Sequence, residues 1–271
     1  MKWEFYFKSA WLIGGRYYLF AGIAFLLFYI LFRNRVSYKK IQQRFPKNTD
    51  YLREIAYSFL TILIFSFVAW QLLGNPAITP HTKKYADIAE YGWTYYFLAF
   101  PLMFVIHDAY FYLTHRLMHH KRLFRLFHLV HHQSTNPSPW AAYAFHPLEA
   151  VVEAGIIAVF LFTIPVHKSH LIIFFLIMIV YNVYGHLGYE LYPKGFSKSM
   201  IGKWINTSVN HNQHHQYFKG NYGLYFLWWD RIFGTIREDY DAKFEEVKSR
   251  VPKTVQEETL SPLTIHHSPT L

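Results

Sequence analysis

Histidine is the residue in this chain whose number and spacing point to chemistry: there are seventeen in 271 residues, many of them in three tight groups. The groups are HRLMHH at His115 to His120, HLVHH at His128 to His132 and HNQHH at His211 to His215. Positions i, i+3 and i+4 of a helix share a face, so His128, His131 and His132 are expected to converge on one point, as are His211, His214 and His215. His115 and His119 make a third such face. At this histidine frequency an HxxHH triplet should arise by chance only roughly 0.07 times in the chain. Hydrogen bonding at helix ends explains one buried histidine but not two repeated triplets and a pair.

Eight imidazoles exceed the four ligands of a structural zinc site or the three of a catalytic one, and they suffice for two ions. The chain has no cysteine, so disulfides, iron–sulfur clusters and thiolate zinc are excluded. Any metal must then be held by nitrogen or oxygen. Imidazole binds iron, zinc, copper and nickel, but two adjacent redox ions can jointly deliver the electrons that cleave dioxygen, which zinc cannot, so iron is the expected metal. The reaction that needs such an oxidant is attack on a C–H bond far from any activating group, with the protein supplying position and a dry site. HExxH, GxSxG and GxxxxGK[ST] are all absent, which tells against metalloprotease, hydrolase and P-loop chemistry.

The segments that must position these histidines are apolar. Hydrophobic residues make up 52% of the chain and aromatic ones 21%, against 16% charged, which points to lipid as the solvent. The net charge of +10 is spread along the chain and gathers beside apolar segments rather than in one basic arm, so it reads as membrane-flanking charge and not as a nucleic-acid surface. A crossing needs about 20 apolar residues. Tyr17 to Phe32, Ile55 to Leu73 and Trp93 to Leu113 qualify, and Val151 to Val166 with Leu171 to Gly185 reads as a helical hairpin, giving four to five spans. The first run lacks a small-residue cleavage site and is expected to be retained. Seven Lys or Arg lie between Arg33 and Arg53, which the positive-inside rule places in the cytoplasm. Counting spans from there puts all three histidine groups on the cytoplasmic side, while Lys83 and Lys84 fall on the other side, against the rule. No fixed-period repeat is present. From Lys243 onward the chain turns charged and rich in Pro, Ser and Thr, so a fraying polar extension is expected there, with His266 and His267 incidental.

The strings HDAYFYLTHRLMHH, HLVHHQS and NHNQHHQYFKGNYGLYFLWWDRIFGT resemble the fatty acid hydroxylase and sterol desaturase superfamily, in which an H-x3-H box precedes two H-x2-HH boxes. AFHPLEA at residues 144–150 and GHLGYE at 185–190 extend the likeness, which covers about residues 93–237. It implies an all-α, integral-membrane helical bundle with a cytoplasmic helical cap carrying the boxes. It also implies a di-iron centre that uses O2 to hydroxylate or desaturate a membrane lipid such as a fatty acyl, sphingoid or sterol substrate. Carried over by position, the box ligands are His115, His119, His128, His131, His132, His211, His214 and His215, with His186 as a further ligand. Some relatives have another histidine four residues before the last of these, where this chain has Asn182. His119 is preferred to the adjacent His120. With no flavin, nicotinamide or haem-binding fingerprint in the chain, the electron donor is expected to be a separate protein, cytochrome b5-like or ferredoxin-like.

Several residues are expected to support the ligands. Asp108 precedes His115 by seven positions on one face and should orient an imidazole, with His107 beside it. Tyr112 lies in the same stripe, and Arg116 is assigned either to the acidic set or to headgroups. His146 and Glu149 fall at a helix start after Pro139, and Glu190 follows the GHLGYE segment; all three are read as supporting the metal ligands. Pro137 and Pro139 should end the helix of the second box. Tyr222 to Trp229 reads as an interfacial aromatic belt, with Asp230 and Arg231 fixing that region internally. The chain divides on this reading into residues 1–92 (membrane helices and basic loop), 93–237 (catalytic) and 238–271 (polar extension). The rival readings are a membrane acyl-CoA desaturase, a zinc hydrolase and a catalytically silent lipid-binding protein of the same fold.

Overall fold

The computed structural model describes residues 3–252, so His266 and His267 lie outside the described residues. The described chain is mostly helical, with almost no sheet. α1 (Trp3–Phe25) is prolonged by a π-helical turn, Leu26–Leu31, and is followed by α2 (Asn48–Gly74) and α3 (Gly92–Met118). The short α4 (Phe124–Phe127) and α5 (Leu129–His132) lead to α6 (Pro147–Ala154), α7 (Ile156–Thr163) and α8 (Lys168–Gly185). Then come α9 (Ser208–Tyr217), α10 (Trp228–Ile232) and α11 (Tyr240–Ser249).

Four helices among the described residues are long and apolar enough to cross a membrane: Trp3–Leu31, α2, α3 and α8. The first starts well before the expected Tyr17, because the aromatic residues from Trp3 onward continue the apolar run and Trp3 stacks on Trp70 with ring centroids 4.8 Å apart. The expected span Val151 to Val166 is divided at Gly155 into α6 and α7. The cause is the close approach of α3. Tyr110 Oη donates to the carbonyl of Val152 at 2.6 Å, and a Cβ on residue 155 would lie only 2.5 Å from that hydroxyl. Together α6 and α7 still return the chain to the opposite end of the bundle. There β2 (Val166–His167) pairs in parallel with β1 (Lys84–Tyr85) from the α2–α3 connection, Lys84 facing Val166 and Tyr85 facing His167. Residues 33–47, 119–146 and 186–252 therefore share one end of the bundle.

The apolar faces meet in two clusters, one built on Tyr17, Ile62, Tyr143 and Ile179, the other on Met103, Phe160, Leu161 and Phe174. A polar tie crosses the first. Tyr17 Oη lies 2.8 Å from Ser58 Oγ and 2.7 Å from the carbonyl of Trp140, joining α1, α2 and the segment after the second histidine group. Tyr17→Phe leaves Ser58 still bonded to that carbonyl at 3.0 Å but removes one buried link. It is expected to cost about 1 kcal/mol. The measurement is a melt of the purified protein in detergent, where an unchanged midpoint would show that the tie contributes nothing.

The cap at the histidine end draws on more of the chain than the box segments. Lys40 pairs with Tyr189 in an isolated bridge, and Gln42 Nε2 donates to the carbonyl of Thr135 and to Asn212 Oδ1, so the basic connection between α1 and α2 is stitched into the cap. The polar extension expected from residue 238 is instead helical over Tyr240–Ser249. Tyr240, Phe244 and Val247 recur at helical spacing and are buried with Ile41, Val209 and Leu227. Charged residues on the other face of α11 hid that stripe.

Candidate metal centre

Each histidine is delivered by a helix end or a short helix. His115 lies in the last turn of α3 and His119 caps it; His128 precedes α5, which holds His131 and His132; His186 follows α8; and α9 carries the rest. α9 is polar throughout, yet Ser208 to His215 are all buried. It can be buried because its free N-terminal amides are met. Thr207 Oγ1 accepts from Asn210 N, Glu190 Oε2 accepts from Val209 N at 3.0 Å, and Tyr184 Oη accepts from Ser208 N. Glu190, expected at the metal ligands, thus acts one step away: it fixes the helix that carries three of them.

Nine histidines gather into two groups, His115, His119, His128, His132 and His214 in one and His131, His186, His211 and His215 in the other, with the candidate ligand atoms of each group within 4.8 Å of one another. The groups adjoin, the rings of His132 and His215 stacking at 4.9 Å between centroids. The allocation differs from the expected convergence of each triplet on one point. His128 and His132 serve the first group and His131 the second, while His211 and His215 serve the second and His214 the first. Successive residues on a helix point about 100° apart, so adjacent histidines face different centres and only the i, i+4 pairs stay together. His119 joins a group, and His120 stays outside, its Nδ1 accepting from Arg122 N.

The outer nitrogens fix the tautomers. The Nδ1–H of His115 donates to the carbonyl of Tyr222 at 2.9 Å, that of His214 to Gly220 at 2.8 Å, that of His186 to Asn182 at 2.8 Å and that of His215 to Ser134 at 3.0 Å. A carbonyl only accepts, so each of these rings carries its proton on Nδ1. Burial pushes the outlying rings His128, His131, His132, His211, His214 and His215 well below the ordinary imidazole range and His186 down to about 4, so they are neutral. His186 and His215 consequently aim bare Nε2 lone pairs at each other across 3.2 Å, where neither can donate. A cation shared between them turns that repulsion into attraction. An all-imidazole donor set without thiolate or carboxylate suits iron, copper or zinc, and the nine residues fit a metal at each group.

Glu149 meets His128, its Oε1 lying 2.6 Å from Nδ1, both residues being buried. The other expected helpers are placed elsewhere. Asp108 Oδ1 accepts from Tyr225 N at 2.8 Å and Phe226 N at 3.2 Å, holding the loop after α9 rather than an imidazole. His107 belongs to neither group; its Nδ1 lies 3.0 Å from Tyr225 Oη. His146 caps α6, its Nδ1 accepting from Leu148 N. Tyr112 Oη is 2.9 Å from Thr235 Oγ1 and accepts from Arg116. Asp230 shapes the turn that offers carbonyls to His115 and His214: its carboxylate accepts from Tyr222 N, Gly223 N and Thr235 Oγ1 at 2.6 to 2.9 Å. Those ring-holding carbonyls, on Ser134, Gly220 and Tyr222, carry no sequence signal, because every residue has one. Tyr222, Leu224, Tyr225 and Leu227, expected in an interfacial belt, are buried around this turn.

A cavity of about 860 Å³ begins at the rings of His115, His128, His131, His186 and His211 and runs between the long helices to Tyr85 and Lys168 at the opposite end. Its lining is mostly apolar, and its size is that of a pocket for one lipid-sized molecule.

Comparison with known proteins fits this arrangement. The family model described as fatty acid hydroxylase matches residues 100–235. The chain is similar to the Delta(7)-sterol 5(6)-desaturase ERG3B of Gibberella zeae, 31% identical over 224 residues that make up 82% of this chain and 66% of that protein, just under two thirds of its length. It is also similar to the lathosterol oxidase of Mus musculus, at 28% identity over 91% of this chain and 80% of that protein, and to that of Homo sapiens, at 26% over 82% and 72%. No solved structure matches the chain.

Proposed function

The chain belongs to the fatty acid hydroxylase family, and we propose that it is a multi-pass membrane oxidoreductase that uses O2 at a di-iron centre to desaturate or hydroxylate a lipid held in the cavity. A Delta(7)-sterol is the first substrate to try, from the names of the relatives. The observation that carries the reading is the pair of neutral rings, His186 and His215, whose unprotonated nitrogens face each other at 3.2 Å beside the mouth of an apolar cavity. Two iron ions would be held by the five and the four histidines of the two groups, and iron in such a site supplies the electrons that reduce dioxygen to an oxidant able to attack an unactivated C–H bond.

The chain's own residues do the rest. Glu149 and the carbonyls of Asn182, Ser134, Gly220 and Tyr222 hold the rings in one tautomer and orientation. Phe111, Tyr143, Phe145 and Ile157 line the cavity and exclude water from the reacting carbon. Desaturation consumes two hydrogens of the lipid, one dioxygen, two external electrons and two protons, and yields two waters. Hydroxylation with the same inputs inserts one oxygen and yields one water. A separate electron donor, cytochrome b5-like or ferredoxin-like, would dock on the cap. The seven Lys or Arg of residues 33–53 support a cytoplasmic side for that cap.

The test is expression in a host that accumulates a Delta(7)-sterol and lacks its own 5(6)-desaturase, followed by sterol mass analysis. A product two hydrogens lighter or one oxygen heavier is expected, with strict dependence on air and on a reductant. Turnover that persists without either would replace this reading with a zinc hydrolase.

A further inference from the structure

Glu153 follows Glu149 by one helical turn on the same face of α6, and both line the cavity. The two carboxyl groups differ in what they meet. Glu149 is engaged by His128 through Oε1 while its Oε2 is unpartnered, whereas Glu153 has no hydrogen bond or ion pair at either oxygen among the described residues. Tyr110, which lies close to it, is committed elsewhere, its Oη donating to the carbonyl of Val152. Phe111, Phe145, Ala154 and Ile157 line the same cavity. A polar group left without a partner in such a wall costs free energy that a ligand can recover.

We propose that Glu153 accepts a hydrogen bond from a hydroxyl of the lipid substrate and so sets which carbon faces the two histidine groups. A carboxyl oxygen accepts in either protonation state, and a hydroxyl is the donor that suits both. A carboxylate or phosphate head brings only further acceptors and negative charge. The ligand class is therefore a neutral, hydroxylated lipid. Its hydroxyl lies a few bonds from the carbon to be oxidised, because Glu153 is about 6 Å of helix rise from the glutamate that holds His128. This rests on the oxidation of a lipid in the cavity proposed above, and it adds what selects the lipid and its register.

The experiment uses the full chain purified with its metal in nanodiscs, and two radiolabelled probes: cholest-7-en-3β-ol and the same sterol lacking the 3-hydroxyl. The wild type should bind the alcohol at least about tenfold more tightly than the deoxygenated probe. Glu153→Leu should bind the two equally and scatter oxidation over several carbons, with metal content unchanged. Glu153→Gln, which keeps an acceptor oxygen, should restore the preference and the single product. A Leu variant that still prefers the alcohol overturns the proposal, as does a wild type that binds both probes equally or neither. The wild-type comparison needs no variant, so a Leu protein that fails to fold leaves the test standing. Preference for the alcohol without any oxidation would instead overturn the oxidase reading and leave the hydroxyl contact in place.

Discussion

His131→Ala is expected to abolish lipid oxidation, lowering turnover by more than about a hundredfold, and to remove about half of the bound metal. His131 belongs to the group of four, with His186, His211 and His215, so its loss leaves three imidazoles and a bare Nε2 pair with less cation to share. The first group starts from five, and its member His119 is the one only partly buried. His119→Ala should accordingly retain more metal and more activity than His131→Ala. Metal content by mass spectrometry, read beside sterol or acyl-lipid profiles of a host expressing each variant, decides the matter. Two metal equivalents and normal product from His131→Ala would sink the two-group assignment whatever the family.

That assignment shows where the sequence speaks and where it falls silent. The i, i+4 pairs His128 with His132 and His211 with His215 are visible in the spacing because a helix is a local object, and each pair does stay together. Their intervening neighbours His131 and His214 go to the opposite group, and that follows only from how α5 and α9 are turned against each other, a tertiary fact. Apolar length likewise reveals α2, α3 and α8, but not the break at Gly155, which depends on Tyr110 of a different helix arriving within contact. The supporting residues were the least legible. Asp108, His146 and Glu149 share polar character and proximity to the boxes in the chain, yet only Glu149 reaches an imidazole. Asp108 turns to a loop more than a hundred residues away, and its position on one face with His115 gives no hint of that partner.

Burial explains why the centre tolerates so many imidazoles without collapsing into charge repulsion. Neutral rings can be packed 4.4 to 5.2 Å apart, as His186 with His211 and His128 with His131 are, and the outer nitrogens of His115, His128, His186, His214 and His215 find acceptors. The scaffold supplies acceptors mainly from backbone turns, and the turns are themselves held by carboxylates remote from the rings, Asp230 for the turn at Tyr222 and Glu190 for the start of α9. The acidic residues of the cap thereby serve the metal ligands at one remove. Glu149 is the exception that touches one directly.

Glu149→Gln therefore carries the second large expected effect, and it separates two glutamates one turn apart. The amide keeps the length of the side chain but replaces the carboxyl group whose Oε1 lies 2.6 Å from His128 Nδ1 with a weaker partner, so the ring becomes a poorer donor to metal and its tautomer is less firmly set. Losses of this kind are on the order of 10- to 100-fold in metal affinity or activity. The fall should appear in kcat and in the rate at which a chelator strips metal, with KM for the lipid little changed, because the lipid does not depend on His128 for its hold. Glu153→Gln should do neither: metal is retained as in the wild type, and the lipid is still registered through the remaining oxygen. The same substitution one turn along α6 thus separates the glutamate that meets a ring from the one that does not. If Glu149→Gln keeps its metal against a chelator as long as the wild type does, the short contact to His128 is packing rather than control of the centre.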